Sequence, residues 1–269
     1  MSLLDDLASV VLGSGKYRWV CPETVRRMGE RELAKGRGLK AAVKATKSRL
    51  HQVFGAFDRA PDYDRLLREL EAAYASGSDG AIRAACRSAL GGHASTRERL
   101  PILDRFYEEV FAVTGRPSRV LDLACGLHPL GLPWMGLAPD AAYTALDIDG
   151  RTVEFLNRFF ALAGIRGRAL LGDVLCRVPE EAADVAFLLK TLPGLERQER
   201  DGGRRVLGGL RARHVVASFP VASLGGREKG MRRNYERVFL AMIAGKPWRV
   251  ERLEFPSELV FMVEKKGEE

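Results

Sequence analysis

RVLDLACGLHPLG, residues 119–131, is the stretch on which the fold turns. An apolar run carrying Asp122 stops at Cys125-Gly126, and Pro129 follows in the turn. Its surroundings make it the first strand of a series. "SRVLDLAC", "AAYTALDID", "RALLGDV", "ADVAFLLK" and "RHVVASF" are short apolar segments beyond residue 117, separated by helical segments such as "GRTVEFLNRFFALAG" and "RDGGRRVLGGLRA". Strands alternating with helices imply a parallel sheet covered on both faces. The end differs: "WRVERLEFP" and "ELVFMVEKKG" are joined by a Pro-Ser turn with no helix between, so an antiparallel pair closes the sheet.

Upstream, the texture is helical. "PETVRRMGERELAK" opens with Pro22 at a helix start, and "LKAAVKATKSRLHQVFGAF" spaces Leu39, Val43, Leu50, Val53, Phe54 and Phe57 along one face. "PDYDRLLRELEAAYA" and "DGAIRAACRSAL" follow, punctuated by "SGSDG" and "GGH". "STRERLPILDRFYEEVFAVTG" carries a capping-box pattern, Ser95 or Thr96 before Glu98, and predicts one helix from 95 to 114 docked on the sheet. The expected division is a helical domain over 1–95 and an α/β domain over 96–269.

Composition narrows the class. Hydrophobic residues make up 46% of the 269, enough for a packed core. The apolar runs fall far short of the roughly 20 residues that span a bilayer. Acids stand in "MSLLDDLASVVLGSGKY" where a secretory signal needs positive charge, so a cytoplasmic protein is the simplest reading. Cys21, Cys86, Cys125 and Cys176 lack C-x-x-C spacing and read as reduced, small apolar residues, with no disulfide framework or metal site. The net charge of +8 is unevenly placed: residues 16–49 hold eleven basic residues against three acids, and a second excess lies between Arg197 and Arg237. Two such blocks can form one polyanion-binding face or two solvated helix faces.

In a doubly wound sheet, ligands sit outside the carboxyl ends of the strands at the switch point, which is where the loop after the first strand lies. A nicotinamide cofactor would ask for G-x-G-x-x-G; here Ala124 takes the first glycine position and Pro129 interrupts the loop. A ligand without pyrophosphate fits better, and S-adenosylmethionine is one. Gly126 lets the backbone approach closely. Asp122 can bond the loop or an ammonium group, Asp147 at the second strand end can accept ribose hydroxyls, and Asp173 after the third can meet an adenine amino group beside Val174. An Asp after a strand is commonly a helix N-cap, but three acids at three successive strand ends are harder to dismiss. The pattern predicts a Rossmann-like class I S-adenosylmethionine-dependent methyltransferase sheet with a helical N-terminal domain.

Seven segments together resemble the aminoglycoside-resistance 16S rRNA (guanine-N7) methyltransferases, which modify a guanine in the decoding site: "KYRWVCPETVRRM", "KATKSRLHQVFGAF", "GGHASTRERLP", "LDLACGLHPLGLPW", "ALDID", "LLKTLPGLERQ" and "SFPVASLGGREKGMRRNYE". The resemblance runs nearly end to end. It implies donor contacts at His93, Ala94, Ser95 and Arg99, with the arginine on the methionine carboxylate. It further implies Ala124 and Gly126 in the first loop, Asp147 on the ribose, Asp173 and Val174 at the adenine, Leu189 and Gln198 closing the pocket, and Phe57 as a lid where relatives commonly place Tyr. Lys190, Arg227 and Arg177 are implied to place the target nucleotide. His128 stands where many relatives have Asn.

The implied partner is 16S rRNA within the 30S subunit, met by a monomer. Lys16, Arg18, Arg26, Arg27, Lys40, Lys44 and Lys47 of the first block, with Arg227, Arg232 and Arg233 of the second, would contact it. Guanine N7 carries an in-plane lone pair that is unprotonated at neutral pH, so the implied reaction needs no general base and rests on positioning. Blander readings stand beside these. Lys190 can snorkel from a buried strand, Arg227 can pair with Glu228 or Glu236, His51 can be a packed helix residue, and Trp134, Phe219 and Tyr235 can be core. A methyltransferase acting on another RNA or a small molecule, with the helices as a substrate cap, and a non-catalytic RNA-binding module are the competing functions.

Overall fold

The computed structural model describes residues 2–54, 61–221 and 230–265; Phe57 and Arg227 lie outside them. A seven-stranded sheet organises the chain. Its strands are β1 (Arg119–Leu123), β2 (Ala142–Asp147), β3 (Arg166–Leu171), β4 (Ala183–Leu189), β5 (Ala212–Pro220), β6 (Arg249–Glu254) and β7 (Glu258–Glu264), in the order β3-β2-β1-β4-β5-β7-β6. The first five run parallel; β7 is antiparallel to β5 and to β6. The expected antiparallel finish is present, and the order reverses between β1 and β4, which sets a ligand crevice at their carboxyl ends.

Both faces are covered. One buries Tyr107, Val110 and Phe111 of α7 (Leu103–Thr114), Met135 of α8 (Leu132–Met135), and Phe155, Phe159 and Phe160 of α9 (Gly150–Ala163). Leu66, Leu67 and Leu70 of α4 (Tyr63–Ala75) and Cys86 and Leu90 of α5 (Asp79–Gly91) join that same core. The opposite face packs Leu195 of α10 (Leu192–Gln198), Val206 of α11 (Gly202–Gly209) and Phe239 of α12 (Met231–Ile243).

A separate cluster joins α1 (Leu3–Leu12), α2 (Pro22–Leu33) and α3 (Leu39–Phe54) through Leu7, Val11, Val25, Met28, Ala42 and Leu50. Buried Glu32 ties α2 to α3 by ion pairs with Lys35, Arg37 and Arg49. The segment between α1 and α2 is laced to the end of β2: Val20 bridges Asp149, Cys21 N donates to Ile148 O (2.8 Å), and Gly150 N donates to Trp19 O (2.8 Å).

Four expectations change. The single helix over 95–114 is broken into α6 (Ala94–Arg97), a 3-10 turn at Leu100–Ile102 and α7. Pro101 lacks the N–H that a continuous helix would need there. The capping box does not form; Thr96 Oγ1 instead donates to Leu90 O at 2.6 Å. Cys176 is exposed while the other three cysteines are buried, and all four are free. His51 is exposed, not packed, with its Nδ1 3.2 Å from Lys16 Nζ. Phe219 is fully buried, whereas Trp134 and Tyr235 are half-buried. Among the described residues no helix is long and apolar enough to cross a membrane, and no group of three or more His, Cys, Asp or Glu could hold a metal ion.

Candidate active site

A cavity of about 530 Å³ opens over the carboxyl ends of β1, β2 and β4, roofed by α2 and α3. The size is that of a small-molecule site, which runs to about 300–1,000 Å³. Nine residues that the sequence and the resemblance single out for a donor share its wall. The β1 loop supplies Ala124 and Gly126, and the start of α6 supplies its N-cap His93 and Ser95. Asp147 ends β2, Asp173 and Val174 follow β3, and Leu189 and Gln198 come from β4 and α10.

The loop after β1 is bent by two residues of positive φ, Ala124 (50°) and Gly126 (50°). That conformation suits glycine, and a Cβ at Gly126 would come within 3.3 Å of the His93 ring. Gly126 N donates to Asp147 Oδ2 (2.8 Å), and Asp149 N donates to Oδ1 (2.9 Å). Removal from bulk water outweighs these bonds and pushes the Asp147 carboxyl up to about 6. Burial, with Lys190 and Arg97 nearby, lowers His93 to about 4; the ring is therefore neutral near pH 7, with Nδ1 2.9 Å from Ser95 Oγ.

Lys190 sits one residue past β4 at φ 58°. Its backbone N donates to Ser218 O (3.0 Å) and Ser218 Oγ (3.1 Å), while its Nζ donates to Ser95 O (3.0 Å) and Glu98 Oε2 (2.6 Å). Lys190 therefore braces the cavity wall instead of snorkelling outward.

Several expected residues lie elsewhere. Arg99 is 3% exposed and off the cavity wall, with its Nε donating to Glu258 Oε2 at 2.9 Å and its Nη2 to Oε1. Ser218 Oγ donates to the same carboxylate, so Arg99, Glu258, Ser218 and Lys190 form one chain of contacts behind the wall. Ala94 is not on the wall. Asp122 faces the core, accepting from Tyr143 OH (2.8 Å) and lying 2.8 Å from His128 Nδ1; it is the one acid of the three that misses the cavity. Arg177 is 79% exposed, off the wall, and pairs with Glu180.

The basic residues also divide. Lys16, Arg18, Lys40 and Lys44 are exposed and Lys47 is half-buried. Arg26 pairs with Asp5 (2.7 Å), and Arg232 with Glu254 (2.8 Å), while Arg233 is exposed. Arg27 points inward and pairs with Asp173 (2.7 Å). Sequence reasoning missed Arg31 and Arg49 from the first block and Arg197 from the second, which reach the same cavity wall. Their only signal was membership of the two basic blocks.

Fold and site together define a class I S-adenosylmethionine-dependent methyltransferase. The family model for ribosomal RNA methyltransferase (FmrO) matches residues 13–262, and the chain belongs to that family. It is 42% identical over 265 residues to the 16S rRNA (guanine(1405)-N(7))-methyltransferase of Micromonospora rosea, covering 97% of each chain. It is 44% identical over 264 residues to the protein of the same name from Frankia casuarinae, covering 97% of this chain and 93% of that one. Among solved structures it superposes on the 16S rRNA methyltransferase RmtF in complex with S-adenosyl-L-homocysteine, with a TM-score of 0.83, 36% identity and 99% of each chain covered.

Proposed function

We propose that this protein transfers a methyl group from S-adenosylmethionine to N7 of a decoding-site guanine of 16S rRNA, acting as a monomer on the 30S subunit and conferring aminoglycoside resistance. The observation that carries this reading is one cavity bordered by the strand-end acids and by arginines of both basic blocks, Arg31 and Arg49 from the first and Arg197 from the second. Donor and polyanion would meet at the same opening.

The residues fit the donor. Asp147 presents a carboxylate to the ribose hydroxyls, Asp173 one to the adenine amino group, and Val174 an apolar wall to the ring. His93, Ser95 and the braced Lys190 border the amino-acid end, with Arg99 acting from behind through Glu258 and Ser218. Gly126 leaves room where a side chain would meet His93. When bound, the donor supplies an already activated methyl group, so the protein's task is to hold N7 in line with it and to exclude water. Duplex RNA closes its major groove to side chains, so the guanine must leave the stack at about a few kcal/mol. Phosphate contacts from the three-helix unit α1–α3 and from Arg232 and Arg233 offset that cost. We assign rRNA docking to α1–α3, and place α4 and α5 with the sheet whose core they share.

Incubating purified protein and methyl-labelled donor with 30S subunits at low salt tests this. Label on 16S rRNA that falls steeply with added salt is expected. Unlabelled 30S subunits defeat the reading, and salt-insensitive turnover of a small molecule favours the substrate-cap alternative.

A further inference from the structure

We propose that Arg27 is a specificity-determining residue of the donor cavity: it pins the Asp173 carboxylate so that it selects the exocyclic amino group of the donor's purine. The inference rests on the donor reading above. Arg27 belongs to the basic run of α2, yet its side chain is only 11% exposed, against 46% for its neighbour Arg26. Its Nε and Nη2 both donate to Asp173 Oδ2 (3.0 and 2.7 Å), and Nη2 also donates to Gln198 Oε1 (2.8 Å). Leu175 N holds the other oxygen, Oδ1, at 2.9 Å. The carboxylate is therefore fixed in direction: Oδ2 is filled by the two Arg27 donors, and Oδ1 keeps one lone pair for a ligand.

A fixed, ionised carboxylate accepts and cannot donate. It favours a purine with an amino group at position 6 and repels one with a carbonyl there. Released from Arg27, Asp173 could turn away and the distinction would fade. A second observation points to a ligand: Arg27 Nη1 is buried, has no hydrogen-bond partner, and belongs to a side chain on the cavity wall. A buried donor of this kind is costly unless something accepts from it, and the ring nitrogens of a purine are acceptors. Neighbouring Arg31 clamps the same corner, its Nη1 donating to Gln198 O (2.5 Å) and its Nη2 to Glu199 Oε2 (2.6 Å). One face of α2 thus closes the purine end of the cavity.

The test compares calorimetric affinities for S-adenosylhomocysteine and S-inosylhomocysteine in the wild type, Arg27→Met and Arg27→Lys, and measures binding of each protein to 30S subunits against salt. The wild type should prefer the adenosyl compound by about tenfold or more, the worth of one charge-assisted hydrogen bond. In both variants that preference should fall to within about threefold of unity, with the salt slope unchanged. Arg27→Lys keeps the charge without the fork, and thermal melting of both variants establishes that they are folded. A preference unchanged in a folded variant overturns the inference. So does intact donor affinity with a salt slope lowered by about 1, which would make Arg27 a phosphate contact. A wild type that binds neither compound sinks the donor reading itself, and one that binds both equally sinks the role of Asp173.

Discussion

Replacing Glu258 by glutamine leaves Arg99 a buried cation without its counter-charge. Glu258 is fully buried and Arg99 is 3% exposed. Burial alone would raise the glutamate carboxyl; Arg99, Lys190 and Ser218 together hold it below the usual carboxylate range. Breaking a pair this dry from one side costs about 3–5 kcal/mol. Glutamine still offers Arg99 an acceptor and Ser218 a partner, so the lower figure, about 3 kcal/mol, is expected. For a chain of this size that lowers the unfolding temperature by roughly 6–12 °C. Urea denaturation should show a lower midpoint at constant slope. Arg99→Met should cost a similar amount, and the double variant less than the sum of the two, by at least about 2 kcal/mol. Because Ser218 links Glu258 to the backbone of Lys190, the methylation rate should fall with stability. Singles that each cost under about 1 kcal/mol, or that add without coupling, would refute the reasoning.

Other consequences follow from the same geometry. Asp147 titrates near 6 in the folded chain against about 3.9 unfolded. Its burial therefore costs stability above pH 6 and is relieved as pH falls toward 4, so Asp147→Asn should melt higher than wild type at pH 7.5 and not at pH 4, while losing donor affinity. The ribose needs the carboxylate, so donor affinity measured by calorimetry should fall as pH drops through 6, by at most tenfold per unit. Gly126→Ala forces a methyl group into the left-handed region and against the His93 ring, costing about 1–2 kcal/mol in a denaturant titration and weakening donor binding at least in proportion. Lys40→Gln with Lys44→Gln should leave melting and donor affinity unchanged, and should lower the salt slope of 30S binding by about 2.

What the sequence disclosed, and what it hid, has a physical pattern. β1 to β5 were legible because each is an apolar run bounded by turn residues, and the acids at the end of β2 and just past β3 because a strand end must sit at the sheet's rim. Asp122 misled because it occupies the same kind of position yet lies within β1, where its side chain finds Tyr143 and His128 in the core. α10 escaped notice because Pro193-Gly194 reads as a turn, although proline is at home in a helix's first turn. Arg27 with Asp173 and Arg99 with Glu258 stand 146 and 159 residues apart. A charge run in α2 carries no sign of which arginine will turn inward; only the docking of the three-helix unit on the sheet decides it.

The most direct test of the account is a primer-extension map of 16S rRNA from cells expressing the protein, after borohydride and aniline treatment. Methylation at N7 weakens the glycosidic bond and renders the chain cleavable there. A single new stop at the decoding-site guanine, lost in Asp147→Ala, is the expected result. An unbroken decoding site in cells that accumulate the folded protein would contradict it.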